Sequence, residues 1–298
     1  MDACAFDILF TKNVPHILEK IFLSLDYQSF KTCHEVSIKW YKILTTETTQ
    51  REAKSMFQEE IVEDIKKLFV AAGEGNIEEI KRLPTISMFD VDTVCPNGDT
   101  EYGIQAYGKT ALSVAASCGY KDVVKVLIEK GADTKKSTEY GYTPIWFAAN
   151  DGHKDVIKVL LSNGADPDME TEYGLTPIWV AAQNGNKGVV QMLIDQGAKL
   201  DKASDNGSTP LHEAIFFRHI DVVKLLLEKG ADPNKANKEG TTPLHVATKK
   251  GHKDVVKLLL DGGAVPDMKD QSGRTPLDDA TANGHKEIVK LLNDAMTS

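Results

Sequence analysis

The sequence predicts an all-α protein in which three short N-terminal helices precede a solenoid of stacked helix pairs with hairpin-like fingers. The first observation is a threonine that recurs every 33 residues without a slip, at Thr110, Thr143, Thr176, Thr209, Thr242 and Thr275. The second is a glycine nine positions after five of these threonines. The third is an amphipathic run after that glycine, such as residues 254–260. A fixed period of this length is typical of repeat architectures.

Each full repeat opens with a phrase that favours the start of a helix. Residues 143–146 and 176–179 read Thr-Pro-Ile-Trp, and residues 209–212 and 242–245 read Thr-Pro-Leu-His. A threonine hydroxyl accepts hydrogen bonds from the free amides of a helix start, and proline fits the first helical position because its missing donor is not needed there. We therefore predict a short first helix after each threonine.

Glycines divide the remainder of each repeat. Glycine permits the left-handed conformation that ends a helix, so Gly152 and its equivalents predict the end of the first helix. The apolar residues that follow recur at helical spacing and predict a second helix, which ends at Gly164 or its equivalent. The polar stretch that follows, for example 231–241, predicts a finger before the next Thr-Pro.

The Thr-Pro-Leu-His phrase, the 33-residue period and the Gly-Ala-Asp closures resemble the ankyrin-repeat family over roughly residues 57–298. This resemblance implies about seven repeats including caps. We assign 51–84 to a connecting helix and N-terminal capping repeat, and 108–298 to six repeats of which the last is a C-terminal cap. The distance from Gly75 to Gly119 is 44 residues instead of 33, which predicts an enlarged finger over 85–107. Asp278 and Asp279 predict a polar, water-facing surface on the last cap.

The first fifty residues lack this period. Pro15 precedes an apolar helix face, Asp26 can cap a second helix, and Val36, Trp40, Ile43 and Leu44 form a third face. Three helices within about forty residues bury little apolar surface, and domains this small usually need staples or a partner. The size of this module therefore predicts a partner.

Residues 14–26, Val-Pro-His-Ile-Leu-Glu-Lys-Ile-Phe-Leu-Ser-Leu-Asp, and 33–40, Cys-His-Glu-Val-Ser-Ile-Lys-Trp, resemble the F-box. Valine precedes Pro15 where that family usually has leucine. The resemblance assigns residues 10–50 to an F-box and implies docking on a Skp adaptor, which links it to a cullin scaffold and a RING subunit. The adaptor-binding residues would be Val14, Pro15, Ile17, Leu18, Ile21, Phe22, Leu25, Phe30, Val36 and Trp40.

Together the two resemblances imply the substrate-recognition subunit of an SCF-type cullin ubiquitin ligase. Such a receptor needs no catalytic residue, because holding a substrate lysine near activated ubiquitin makes the encounter nearly intramolecular. The alternative is an ankyrin-repeat scaffold for protein–protein interaction without a ligase role. An F-box joined to ankyrin repeats also occurs in effectors of intracellular pathogens, so the expected location is the cytoplasm or nucleus, or the host cytoplasm for an effector.

The surface for the protein substrate is predicted from residues that a repeat stack does not require. Exposed aromatic residues and arginine are the usual anchors of interfaces. The substrate-binding residues predicted in this way are Tyr107, Tyr140, Tyr142, Tyr173, Leu175, Phe216, Phe217 and Arg218. Some tyrosines have the alternative of packing along neighbouring fingers, and Trp146 and Trp179 are interpreted mainly as packing residues between repeats.

Composition and motifs argue against other functions. The net charge is −9 and no basic stripe is present, which disfavours nucleic-acid binding. No apolar run approaches the roughly 18 residues that span a bilayer, and the N-terminus lacks the pattern of a secretory signal, so we expect an intracellular protein with no membrane association. Four separated cysteines, the absence of a Walker phrase and the absence of a His-Glu-x-x-His site predict no disulfide framework, cofactor or metal.

Overall fold

The computed structural model describes residues 65–82, 91–95 and 108–297. Residues 65–74 are helical. Thirteen further helices follow in the described residues: α1 (Ile77–Arg82), α2 (Ala111–Cys118), α3 (Lys121–Glu129), α4 (Pro144–Asn150), α5 (Lys154–Ser162), α6 (Pro177–Gln183), α7 (Lys187–Asp195), α8 (Pro210–Phe216), α9 (Ile220–Glu228), α10 (Pro243–Lys250), α11 (Lys253–Asp261), α12 (Pro276–Ala282) and α13 (Lys286–Thr297).

The helices stack in two layers. The inner layer contains the even-numbered helices α2 to α12, and the outer layer contains the odd-numbered helices α3 to α13. Each inner helix contacts the outer helix that follows it and the inner helix of the next repeat, and neighbouring outer helices also touch. The described residues contain no strand, only an isolated bridge. The predicted all-α solenoid is therefore confirmed for this part of the chain, whereas the three N-terminal helices predicted over 10–50 lie outside the described residues.

The predicted helix starts and ends are observed. All six repeated threonines accept a hydrogen bond from the backbone N–H three residues later, as Thr176 does from Trp179 at 3.2 Å. The five glycines that follow the inner helices have φ between +72° and +82°. Thr-Pro and the left-handed glycine therefore set the length of four of the six inner helices, whereas alanine follows Thr110 at the start of α2 and Arg218 takes the place of glycine after α8.

The core runs as one continuous cluster along the stack. Five of the six inner helices contribute a fully buried aliphatic residue two positions after the threonine, as Ile145, Ile178, Leu211 and Leu244 show, whereas Leu277 of α12 is partly buried. The outer helices supply Val156, Val190, Val223 and Val256, which are equally buried. Because each layer of this core is shared by two repeats, a single repeat cannot bury its own apolar face.

Backbone hydrogen bonds tie neighbouring fingers together. The N–H of Glu172 donates to the carbonyl of Tyr140 at 3.0 Å, and the N–H of Asp205 donates to that of Tyr173 at 2.9 Å. The fingers approach so closely that a Cβ at Gly141 would lie 2.9 Å from the Cα of Thr171. Glycine at this position therefore serves the approach of the next finger as well as the positive φ.

The extra residues of the first finger can be located from one side chain. The carboxylate of Asp92 accepts the backbone N–H of Asp133 at 3.0 Å, as Asp168 does for Lys199 at 2.9 Å. Asp92 and Asp168 are thus equivalent, but Gly108 follows Asp92 by 16 residues whereas Gly174 follows Asp168 by 6. Ten of the eleven additional residues therefore lie between Asp92 and Gly108. On either side of them the chain closes again, since Cys95 N–H donates to the Lys109 carbonyl at 2.9 Å.

The C-terminal cap differs in part from the prediction. Asp278 is exposed and caps its own helix, its carboxylate accepting the N–H of Thr275 at 2.8 Å. Asp279, in contrast, is only 4% exposed. The prediction of a water-facing surface is therefore wrong for Asp279, because the guanidinium of Arg274 folds over it and pairs with its carboxylate at 3.3 Å.

Candidate protein-interaction surface

The finger tyrosines Tyr140 and Tyr173 present their rings to solvent. Each stands just before a finger glycine, and they are 46% and 50% exposed. Their carbonyl groups accept the hydrogen bonds that join one finger to the next. The backbone of these residues therefore belongs to the stack, while the side chains extend from it at equivalent places in successive repeats.

Tyr142 and Leu175, two positions further along, are partly buried. The Tyr142 ring packs edge-on against Trp146, with the ring centroids 4.5 Å apart, and lies 6.0 Å from Phe147. Burial raises the pKa of the Tyr142 phenol, and the nearby Tyr173 raises it further. Leu175 packs against the core. These two residues therefore belong partly to the packing of the stack and are less accessible to a partner than Tyr140 and Tyr173.

The two tryptophans at the helix starts differ in their hydrogen bonding. Trp179 is buried, and its indole N–H donates to the Ser208 carbonyl of the next finger at 3.1 Å. His212 makes the equivalent contact with the Thr241 carbonyl at 3.0 Å. The Trp146 indole nitrogen is buried without a hydrogen-bond partner. Trp179 therefore replaces histidine as a link between repeats, whereas Trp146 instead packs with Tyr142 and with Phe147, 5.6 Å away.

A lysine lies beside these aromatic rings. The Lys109 ammonium is 4.4 Å from the centroid of Phe147. Burial lowers the pKa of Lys109, and the neighbouring Asp151 and Cys118 oppose that change. Such a cation held over an aromatic face is stabilised by the ring quadrupole. This end of the surface consequently combines tyrosine rings with one partly desolvated positive charge.

A second aromatic group lies at the end of α8. Phe216 and Phe217 are 46% and 48% exposed, and their ring centroids are 5.1 Å apart. The Lys250 ammonium of the next inner helix lies 3.7 Å from the centroid of Phe216, and the ring of His219 stacks on Phe217 at 6.4 Å. We call Phe216, Phe217, Arg218 and Lys250 the Phe216 cluster.

Arg218 occupies a backbone position that the other repeats give to glycine. Its φ is +61°, and it is the single non-glycine residue with positive φ in the described part of the chain. Its guanidinium pairs with Asp254 at 3.2 Å, with both side chains largely exposed. A left-handed conformation costs a residue with a Cβ roughly 1–2 kcal/mol.

The side chain at 218 also affects the next repeat. A Cβ at Gly185 would lie 2.5 Å from the ring of His219, whose Nε2 bonds the Gln183 carbonyl at 2.9 Å. His252 is the residue equivalent to His219, and it faces Arg218 instead of glycine. Burial and the nearby Arg218 lower the pKa of His252, and a backbone hydrogen bond with Phe216 opposes that change. The buried Nε2 atom nevertheless makes no hydrogen bond with the geometry seen at His219. We attribute this to the Cβ of Arg218, which occupies the space that the histidine ring uses elsewhere in the stack.

Glu213 places one acidic group on the inner face of α8. Burial raises the pKa of its carboxyl group, and a hydrogen bond with Gln183 of α6 opposes that rise. Its equivalents in the neighbouring inner helices are Val180 and Val246. The carboxyl group therefore lies on the α6 side of the Phe216 cluster, while Lys250 lies on the α10 side.

A family model described as ankyrin repeats (3 copies) matches residues 68–171, 161–237 and 233–297. The chain belongs to the ankyrin-repeat family. Its repeats make it a scaffold for protein–protein interaction. The matched ranges of this ankyrin-repeat protein begin at residue 68, so residues 10–50 lie outside them. No curated protein matches the chain.

Seven of the eight substrate-binding residues predicted for this ankyrin-repeat protein lie in the described residues, and they fall into two groups. Tyr140, Tyr142, Tyr173 and Leu175 belong to adjacent fingers, whereas Phe216, Phe217 and Arg218 end one inner helix. Tyr107 and all ten predicted adaptor-binding residues, Val14 to Trp40, lie outside the described residues. Sequence reasoning missed Lys109, Glu213 and Lys250. Their signal was available, because the neighbouring repeats fill each of these positions with a different residue class.

The described residues contain neither a candidate metal site nor a helix that could span a membrane. Within residues 65–82, 91–95 and 108–297, no group of three or more His, Cys, Asp or Glu side chains could hold a metal ion. Over the same ranges no helix has both the length and the apolar character needed to cross a bilayer.

Proposed function

We propose that the chain is a non-catalytic receptor that binds a protein substrate on its fingers and inner helices and presents it to an SCF-type cullin ubiquitin ligase. The observation that carries the binding half of this proposal is the exposure of Tyr140, Tyr173, Phe216 and Phe217 on a stack whose other large side chains are mostly buried. Aromatic anchors of this kind dominate the energetics of interfaces.

The ligase half is supported by the resemblance of residues 14–40 to the F-box. In this proposal the apolar face around Leu18 and Phe22 docks on a Skp adaptor, and the cullin scaffold is reached through that adaptor. In this proposal the protein presents its substrate in the cytoplasm or nucleus, or in a host cytoplasm if it is an effector. The alternative is an ankyrin-repeat scaffold without a ligase role, whose N-terminal residues serve another partner.

The adaptor test is affinity purification of the full chain from cells, followed by detection of adaptor and cullin. We expect both with the wild-type chain, and neither with the double variant Pro15→Ala and Leu18→Ala. The matched control is Phe217→Ala, which changes the ankyrin repeats instead of residues 14–40 and should retain the adaptor. Adaptor binding that persists in the double variant, or that never occurs, favours the scaffold alternative.

The substrate test is cross-linking mass spectrometry of cell extracts with the full chain. We compare the wild-type protein with two double variants, Tyr140→Ala plus Tyr173→Ala and Phe216→Ala plus Phe217→Ala. Truncating one anchor typically costs about 2 kcal/mol of binding free energy, or about thirtyfold in affinity. Lys224→Ala on the exposed outer face of α9 is the control. Captured proteins that are the same in all four chains would contradict the assigned surface.

A further inference from the structure

The ends of the inner helices change character along the stack. The last two residues before the turn are small or polar in the first three full repeats: Ser117-Cys118, Asn150-Asp151 and Gln183-Asn184. They become Phe216-Phe217 and then Lys249-Lys250 in the next two repeats. All four of these side chains are exposed. A pair of exposed phenylalanines in one repeat is therefore followed by a pair of exposed lysines at the same position of the next repeat.

Contacts between neighbouring repeats join the phenylalanine pair and the lysine pair into one surface. The Lys250 ammonium lies over the Phe216 ring at 3.7 Å, and Phe216 touches Phe217 at 5.1 Å between centroids. Lys249 forms no ion pair with any described residue. Arg218 has one carboxylate partner, Asp254, in an exposed pair. Apart from Glu213 on the α6 side, three cations thus lie near a single carboxylate, that of Asp254, in a chain whose net charge is −9.

Arg218 is kept at an energetic disadvantage. Glycine would relieve the φ of +61° and would leave room for the His252 ring to bond the Phe216 backbone with the geometry seen at His219. Residues held in rarely populated conformations cluster at functional sites. The guanidinium of Arg218 adds a third positive charge to those of Lys249 and Lys250, next to Phe217 in the chain, which glycine cannot do.

We propose that Phe216, Phe217, Arg218, Lys249 and Lys250 form a docking site for an acidic segment of a partner protein, in which an apolar side chain stands next to carboxylates. The apolar side chain packs on the two phenylalanine rings, and the carboxylates pair with the lysines and Arg218. Charge complementarity of this kind steers encounter and fixes the register of a bound segment. The inference rests on the proposed function and specifies the chemistry of its substrate.

The charges also set an orientation. Glu213 lies on the α6 side of the phenylalanine pair and Lys250 on the α10 side. A bound segment therefore places its carboxylates toward α10, since the opposite orientation brings them to Glu213. A peptide fits this arrangement better than a nucleic acid, because three cations do not form the long basic stripe that a phosphate backbone requires.

The experiment selects displayed random peptides of about 12 residues on the full-length chain, enough to span adjacent repeats at about 3.3 Å per extended residue. We expect enriched peptides to combine Asp or Glu with Leu, Phe or Trp. Their affinity, measured by fluorescence anisotropy, should fall about thirtyfold in Phe217→Ala and about tenfold in Lys249→Glu plus Lys250→Glu. The neutral pair Lys249→Gln plus Lys250→Gln should fall less. Lys224→Glu, a charge reversal on the exposed outer layer, should leave the affinity unchanged.

The outcomes separate this inference from the proposed function. Peptides without acidic residues, or peptides that bind the lysine variants as tightly as the wild-type chain, overturn the inference. Enriched peptides that depend on Tyr140 and Tyr173 instead leave the proposed function standing and remove only this site. Peptides that depend on neither surface remove both. A single-stranded oligonucleotide that competes for the site, or a chain that dimerises through it in light scattering, also overturns the assignment.

Discussion

Replacing Arg218 by glycine should make the protein more stable. The backbone at this position has φ of +61°, which costs a residue with a Cβ roughly 1–2 kcal/mol and costs glycine almost nothing. Glycine lowers the free energy of unfolding by about 0.4–1 kcal/mol, because it increases the conformational entropy of the unfolded chain. Removing the Cβ also frees space in which the His252 ring can improve its hydrogen bond with the Phe216 backbone, a gain of up to about 1 kcal/mol.

The variant also loses the ion pair with Asp254. Both partners are largely exposed, so this loss is about 0.5 kcal/mol. Taken together, Arg218→Gly should raise the free energy of unfolding by about 1 kcal/mol. Arg218→Ala is the matched control, because alanine also loses the ion pair but keeps the Cβ and the strained φ. We expect alanine to fall slightly below the wild type and about 1.5 kcal/mol below glycine.

The assay is urea unfolding of the full chain followed by circular dichroism, with the three proteins compared at equal concentration. The ring of His252 supplies a second measurement, because in Arg218→Gly its nuclear magnetic resonance shifts should resemble those of His219. Equal stabilities for the glycine and alanine variants would refute the argument, since strain and displacement of the histidine both require a difference between them.

Two other predictions follow from the stack. Gly185→Ala and Gly197→Ala both place a Cβ at positive φ, but only at Gly185 would it strike a neighbouring ring, that of His219 at 2.5 Å. In thermal unfolding we expect a loss of about 1 kcal/mol for Gly197→Ala and clearly more for Gly185→Ala; equal losses would mean that the ring yields without cost. Burial lowers the pKa of His212 to about 4 from its ordinary 6.5, so the unfolded chain binds a proton that the folded chain refuses. Stability contributed by His212 is therefore complete above about pH 6.5 and falls as the pH drops toward 4, by about 2 kcal/mol at pH 5. His212→Gln should show a smaller loss between pH 7 and pH 5 in urea titrations, and an unchanged loss would contradict the assignment.

The sequence predicted the helix ends well because the signals are local. A threonine and a left-handed glycine act within one turn of the residues they cap, so Thr176 and Gly185 define α6 without reference to the rest of the chain. Local signals did not predict the burial of Asp279. Its burial depends on Arg274 folding across it, and a side-chain contact of that kind has no sequence period.

The interaction surface was predicted less completely. Exposed aromatic residues such as Phe216 stand out because repeats elsewhere use polar residues at that position. The lysine over its ring, and the consequence of Arg218 for His252, are relations between neighbouring repeats and depend on distances of a few ångströms. Lys250 and Glu213 stand out only against the residues at the equivalent positions of neighbouring repeats, 33 residues away.

The hydrogen bonds between fingers have a mechanical consequence. Because the carbonyl groups of Tyr140 and Tyr173 each accept a hydrogen bond from the following finger, the fingertips are coupled along the stack. A displacement of one fingertip should therefore move its neighbours, so the two tyrosine rings do not adjust independently to a bound partner. We expect this coupling to favour partner segments whose contact points match the spacing of the fingers.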